Sequence, residues 1–437
     1  MDNCFLPSIV SILFDFFNKK VKYAILRNYE GLPFKNKSRD IDILINKSDF
    51  LKYKKDFIKI ILDNNYKIVS CFQSERIHTF VIGRIDVNVE LLQFDFFFNT
   101  SAYGNILILG DKILDKRKFN NFVYHVPEEY EFLDKYLYLK YIGAQYPLKY
   151  NLLKEKVVAN SILNDILKIE FGISKFEDLD KMESSQFLRI VKKRNIKKFL
   201  WVHLRNRIIF IVFYLGNIIF HKGFSIAFTG PDGVGKTTII DIIKEEFSKL
   251  YGDISLFHFR PLLIGNLGEV AHNVGLKKEV DREYTKPHRG RKVGVISSLL
   301  RLCYYTIDYI LGYYKLVKGK LFRRNIVIFD RYYTDVICDS RRSRIFLNYK
   351  FLFWFGKVFI PRLDYNVLLT ARTETILGRK QELTRKGIEM INDKIDYLST
   401  KKGYKKVMND GTAEEAVTEI LGWVFEEQHK RNLKRLK

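Results

Sequence analysis

Three groups of residues in this chain have the types and spacing that chemistry requires. The first is Gly230-Pro231-Asp232-Gly233-Val234-Gly235-Lys236-Thr237, with Thr238 beside it. Glycines let backbone N–H groups close around phosphate oxygens, and the start of a helix adds partial positive charge. Lys236 reaches the β- and γ-phosphates, and Thr237 offers a hydroxyl to Mg²⁺. Gly230, Asp232, Gly233, Gly235, Lys236, Thr237 and Thr238 are therefore the expected ATP-binding residues. The second group is Ile326-Val327-Ile328-Phe329-Asp330-Arg331-Tyr332-Tyr333. An apolar strand ending in Asp330 puts a carboxylate beside a metal, and Arg331 can hold an acceptor phosphate; an ion pair at a strand end is the other reading. The third is Ser38-Arg39-Asp40-Ile41-Asp42-Ile43-Leu44-Ile45, in which Asp40 and Asp42 stand at i and i+2 of a strand and point to one face. With Asp86, from the strand Ile85–Leu92, they make a carboxylate set able to hold one or two Mg²⁺ ions for phosphoryl or nucleotidyl transfer.

The elements that must position these residues fall into three zones. Residues 1–145 mix short apolar strands (Tyr23–Leu26, Ile41–Ile45, Thr79–Ile82, Ile85–Leu92) with helical stretches around 6–18, 48–63 and 127–143, a mixed α/β domain. Residues 146–222 read as a helical connector that ends in a basic and aromatic stretch, Lys192 to Phe220. From 223 to 437 strand and helix alternate: Ser225–Thr229, a helix over 236–250, Ile254–Phe259, then strands at Ile326–Phe329 and Tyr365–Leu369. Such alternation predicts a parallel sheet with helices on both faces, the P-loop NTPase arrangement, so the expected fold class is α/β.

From about 224 to 425 the chain resembles the thymidylate kinase family. The resemblance rests on the acidic third position of the loop, Asp232, and on Asp330-Arg331-Tyr332. It implies that Arg260, in His258-Phe259-Arg260-Pro261, holds the acceptor together with Asp232, Arg331 and Tyr332. It implies that Arg379 and Arg385, on a basic stretch with Lys380 and Lys386, close over the transferring phosphoryl group with Lys236, Asp330 and Arg331. Asn409, in Asn409-Asp410-Gly411-Thr412, implies an adenine-side loop. One departure stands out: after Tyr332 the chain reads Tyr333, Thr334, Asp335, Val336, Ile337, Cys338, without the amide that reads a pyrimidine in that family. Asp335 and the cluster Arg341, Arg342 and Arg344 point to an acceptor richer in hydroxyls or more anionic. Similarity to kinase-like domains of bacterial surface-polysaccharide gene neighbourhoods implies a sugar or glycan.

The Asp40/Asp42 segment resembles the nucleotidyltransferase superfamily, which implies Mg²⁺ at Asp40, Asp42 and Asp86. Where that family has a Gly-Ser motif, this chain has Leu26-Arg27-Asn28.

Of 437 residues, 75 are Lys or Arg and 50 are Asp or Glu, a net charge of +25, which fits an anionic partner or a Lys-rich composition. Nucleic acid is not expected, since no stacking repeat or binding motif accompanies the charge. The four cysteines have neither disulfide-framework nor zinc spacing, and a reducing cytoplasm is the expectation. The apolar run Ile208–Phe220 falls short of the roughly 20 residues that span a bilayer. With the basic residues before it, this run reads either as a peripheral contact with anionic membrane at its cytoplasmic face or as an interdomain helix with a buried apolar side. Two functions follow: ATP-dependent phosphoryl transfer to a small-molecule or glycan acceptor, with a second, nucleotidyl-transferring or substrate-binding domain, or a nucleotide-dependent switch or ATPase in a membrane-proximal assembly.

Overall fold

In a computed structural model, residues 4–37, 39–74, 76–86, 89–120, 122–219, 223–248, 253–265 and 293–436 are described. Ser38 and Phe220, residues 87–88 of the stretch Ile85–Leu92 and residues 249–250 of the helix expected over 236–250 lie outside them. The chain divides into two units, residues 1–219 with 428–437, and residues 220–427.

The first unit is built on a seven-stranded sheet in the order Lys118–Phe119, Tyr124–His125, Tyr23–Ile25, Asp40–Ile45, Val89–Phe97, Ile77–Ile85, Lys67–Gln73. Period-two alternation in Asp40–Ile45 sends Ile41, Ile43 and Ile45 to one face, where Ile9, Leu13, Phe14 and Phe17 of the helix Ser8–Lys20 and Phe57 and Ile61 of Lys47–Asp63 cover them. Asp40, Asp42 and Leu44 point to the other face, where Leu44 packs with Leu133 and Leu137 of the helix Glu128–Ile142. A bulge between Ile68 and Ser70 breaks the edge ladder. There Asn432 Nδ2 donates to the carbonyls of Ile68 and Val69, both at 3.0 Å, and His429 Nδ1 accepts from Ile68 N at 3.0 Å.

The helices expected as a separate connector belong to this unit. Leu163, Leu167, Phe176, Leu179, Phe187 and Val191 share one core with Leu107, Phe132 and Leu133. Their apolar positions recur at helical spacing but have no partner layer of their own, so they bury against the sheet domain.

The second unit has a five-stranded sheet in the order Ile254–His258, Ile326–Asp330, Ser225–Thr229, Tyr365–Thr370, Tyr404–Met408, with every pair parallel. Strands buried on both faces read as near-continuous apolar runs, as Ile326–Phe329 and Val367–Leu369 do. The sheet is the one expected, extended by Tyr404–Met408. The order reverses at Ser225–Thr229, the central strand, and ligands of such sheets lie beyond the carboxyl ends at that reversal.

Candidate functional site

Thr229 ends the central strand, and residues 230–235 turn into the helix Lys236–Ser248. Gly233 and Gly235 hold φ of 87° and 92°, and a Cβ on Gly235 would stand 2.6 Å from Asn409 Nδ2, so neither position suits a side chain. Lys236 curls back over the loop, its Nζ donating to the carbonyls of Gly230 (2.9 Å) and Pro231 (2.8 Å). It is 8% exposed. Burial, then the Arg331 charge, pushes its pKa from 10.5 down to about 7, while Asp232, Asp335 and Asp330 pull the other way. Thr237 and Thr238 are exposed in the first helical turn.

The neighbouring strand delivers its terminal residues to the same place, since Asp330 pairs with Phe228 in register. Arg331 has a left-handed φ of 76° and is 3% exposed. That backbone aims its guanidinium at the loop: Nη1 donates to Gly230 O (3.2 Å) and Asp335 Oδ1 (2.5 Å), and Nη2 to Asp232 Oδ1 (2.5 Å). Burial would lower the Arg331 pKa, but Asp335 and Asp232 hold it above its ordinary value. Arg342, behind the short helix Tyr333–Cys338, donates to the other Asp232 oxygen and lies 3.5 Å from Asp339. Asp335 is 1% exposed, its pKa raised by burial against the pull of Arg331, and its Oδ2 has no hydrogen-bond partner. Loop, strand end and following helix are thus joined by three cations, Lys236, Arg331 and Arg342, and by Asp232, Asp330, Asp335 and Asp339.

The residues present fit one Mg²⁺ ion. Burial would raise the Asp330 pKa, but a bond from His258 Nδ1 at 3.1 Å and the charges of Lys236 and Arg331 hold it below the usual range. Its Oδ1 is buried with no hydrogen-bond partner, and Thr237 stands exposed in the first turn of the helix that follows the loop. A hard cation takes oxygen ligands of this kind together with phosphate oxygens.

Several expected site residues have other duties. Asn409 buttresses the loop: its Nδ2 donates to Val234 O (2.8 Å), its backbone N–H to Thr370 O (2.8 Å), and Arg379 Nη1 donates to Asn409 O at 2.8 Å. Arg379 therefore stands beside the loop, whereas Arg385 is an exposed partner of Glu374 at 2.7 Å and is not among these contacts. Arg260 does not present a free guanidinium: it is buried on Asp308 (3.0 Å) against the ring of Tyr305. Asp308 also accepts from Leu262 N and Ile264 N, so the pair shapes the segment after Ile254–His258. Tyr332 is core, with its ring against Tyr309 and Phe329 and its hydroxyl donating to Pro361 O at 2.9 Å.

In the first unit the expected metal set does not assemble. Asp86 is exposed just after the end of the strand Ile77–Ile85, which pairs antiparallel with Val89–Phe97. Gln93, level with Asp40, lies four residues beyond Val89, about 13 Å along the sheet at 3.3 Å per residue. The carboxylate level with Asp42 is Asp95, which sequence reading missed although it interrupts the apolar run Leu91–Phe97. Asp95 accepts from Thr79 Oγ1 (2.5 Å) and Gln93 Nε2 (2.7 Å). Arg27 Nε sits 2.7 Å from Asp42, and Arg76 donates to Asp134 at 3.2 Å. Burial pushes the Asp42 pKa up to about 6 against the pull of Arg27. Among the described residues no group of three or more His, Cys, Asp or Glu side chains is placed to hold a metal. These residues do not fit Mg²⁺: a guanidinium already stands against the carboxylate.

No protein-family model and no curated protein matches the chain. Among solved structures, the chain is similar to the thymidylate kinase of Ehrlichia chaffeensis, at 16% identity and a TM-score of 0.33 over 46% of this chain and 98% of that one. It is also similar to the thymidylate kinase of Candida albicans, at 17% identity and a TM-score of 0.34 over 47% and 93%.

Proposed function

We propose that residues 220–427 form an ATP-dependent phosphotransferase. The acceptor oxygen bonds to the γ-phosphorus of ATP, the bond from that phosphorus to the bridging oxygen breaks, ADP leaves, and the acceptor hydroxyl releases its proton. Lys236 and the loop N–H groups hold the phosphates, and a bound Mg²⁺ at Thr237 and Asp330 would neutralise charge on them. The observation that carries this reading is the convergence of Arg331 and Arg342 on Asp232, beside an Asp335 whose buried Oδ2 has no hydrogen bond and faces Arg342 Nε at 3.9 Å. A nucleotide switch needs the loop but not a second, deeply buried polar cluster on its acceptor side. Hydroxyl groups suit this cluster, since they donate to Asp335 and Asp232 and accept from Arg342. A glycan or other polyol acceptor is therefore favoured over a nucleoside monophosphate. In the first unit Arg27 takes the place expected for a cation, which favours a binding role over nucleotidyl transfer.

The test is ADP release by the full chain with ATP and Mg²⁺, with and without a panel of sugars, sugar phosphates and thymidine monophosphate. Acceptor-stimulated release, matched by a phosphorylated product and abolished in Lys236→Ala, is the expected result. Release that no acceptor stimulates makes the unit an ATPase or switch. Thymidine monophosphate as the best acceptor overturns the polyol reading, since a site without the base-reading amide should lose on the order of 10⁴-fold.

A further inference from the structure

The helix Ser184–Ile219 consists of two arms, 184–198 and 200–216, bent by 120°. The first arm is docked. Phe187 and Val191 are in the core, Asn195 caps the backbone of Ile106 with bonds of 3.0 and 2.9 Å, and Arg194 donates to Leu107 O at 2.9 Å. One side of the second arm is docked too. Phe210 meets the ring of Tyr103 at 5.6 Å, Arg207 donates to Tyr103 O at 3.1 Å, and the backbone at Asn206 runs close over Gly104. The opposite side is apolar and open. Trp201, Leu204, Ile208, Ile211, Val212 and Leu215 are all exposed, Trp201 at 81%. At about 100° per residue they fall within an arc of about 100°, a continuous stripe along the arm.

We infer that this stripe is a docking surface for an anionic lipid bilayer, into which the second arm sinks lengthwise. Two observations select the bilayer. The first is charge: from Ser184 to Ile219 there is no acidic residue, while Arg189, Lys192, Lys193, Lys197, Lys198 and Arg205 are among its cations. A second copy meeting this face would bring the same cations to it, and like charges repel. Anionic headgroups attract them; the lysines belong to the first arm, and on the second arm Arg205, about 20° from the edge of the stripe, keeps its guanidinium at headgroup level while its stem lies along the apolar side. The second is the make-up of the stripe, aliphatic along its length with Trp201 at the bend, an amphipathic ring of the kind favoured at a membrane interface. Among the described residues no single helix is long and apolar enough to cross a bilayer, although the two arms pass that length and composition test together; the lengthwise contact rests instead on one side of the second arm being docked on Tyr103 while the other is open.

Flotation of the full chain with vesicles of phosphatidylcholine alone, or with about one third phosphatidylglycerol, tests this. The chain should float with the anionic vesicles at low salt and much less at about 0.5 M salt. Ile208→Asp with Leu215→Asp, both exposed sites, should lower partition about tenfold or more while the melting temperature stays that of the parent. Should that variant fail to fold, Trp201→Ala provides the second readout, with weaker flotation and loss of a vesicle-induced blue shift in tryptophan emission. Absence of flotation at low salt overturns the inference. So does equal flotation of the aspartate and parent proteins. So does a parent dimer that the aspartate variant converts to monomer without vesicle binding, which makes the occupant a second copy.

Discussion

A lysine buried among carbonyls and counter-charges carries its proton at a cost, and Lys236 shows the consequence in a pKa pushed down to about 7. In the unfolded chain the same amine titrates near 10.5, so between about 7 and 10.5 the unfolded state binds more protons and stability rises with pH. Phosphate oxygens reverse this by giving the ammonium group a partner. Nucleotide binding between pH 7.5 and 8.5 should therefore take up close to one proton, measured as the dependence of the calorimetric heat on buffer ionisation enthalpy. Lys236→Met should remove that uptake and flatten the rise of the melting temperature between about pH 7 and 10. Equal uptake by variant and parent would place the titrating group elsewhere. The pocket around Lys236 also shows why Arg331 cannot be exchanged for lysine without loss: three acceptors, on Gly230, Asp232 and Asp335, are met by one planar fork.

At the scale of elements, the loop depends on a strand remote in sequence. Asn409, just past Tyr404–Met408, bonds Val234 O and occupies the space a Gly235 side chain would need. Gly235→Ala should weaken nucleotide binding by about tenfold or more through strain at φ 92°, at about 1–3 kcal/mol, plus the clash. Asn409→Ala should weaken it less, and the double variant should fall short of the sum because the clash is then gone. Strictly additive affinities would separate Asn409 from the loop's geometry. The loop, the strand that ends in Asp330 and the parallel sheet were legible because glycine spacing and apolar runs are local signals. The roles of Asn409, Asp308 and Asp95 were not, because each depends on pairing between distant segments, and Asp86 misled because the end of one strand and the start of the next look alike in an apolar run. Sheet register also explains the first unit, where Asp42 stands level with Asp95 and Arg27 neutralises the pair's surroundings. Arg27→Ala should cost about 3–5 kcal/mol in urea unfolding by leaving a buried carboxylate uncompensated. Asp42→Asn in that background should recover much of it. An Mg²⁺-dependent rise in the first unit's melting temperature that Asp40→Asn with Asp42→Asn removes would instead restore the metal reading.

Across the whole molecule, charge acts over distances that no single contact covers. The site cluster is close to balanced, with Lys236, Arg331 and Arg342 facing Asp232, Asp330, Asp335 and Asp339, one more carboxylate than cations. That cluster alone does not draw in a polyanion, whereas the chain as a whole carries +25. Attraction of ATP therefore falls to Arg379 beside the loop and to charges spread beyond the site, and such long-range attraction is screened within about 8–10 Å at physiological salt. Raising KCl from about 20 to about 300 mM should raise the KM for ATP several-fold. The proposed phosphoryl transfer would take place among groups that are largely buried and poorly screened, so kcat should change by less than about twofold. Steady-state kinetics over that range, at saturating acceptor, separate the two parameters. A kcat that falls with salt while KM stays level would mean that mobile ions reach the buried cluster itself and that the distant charge does not assist binding.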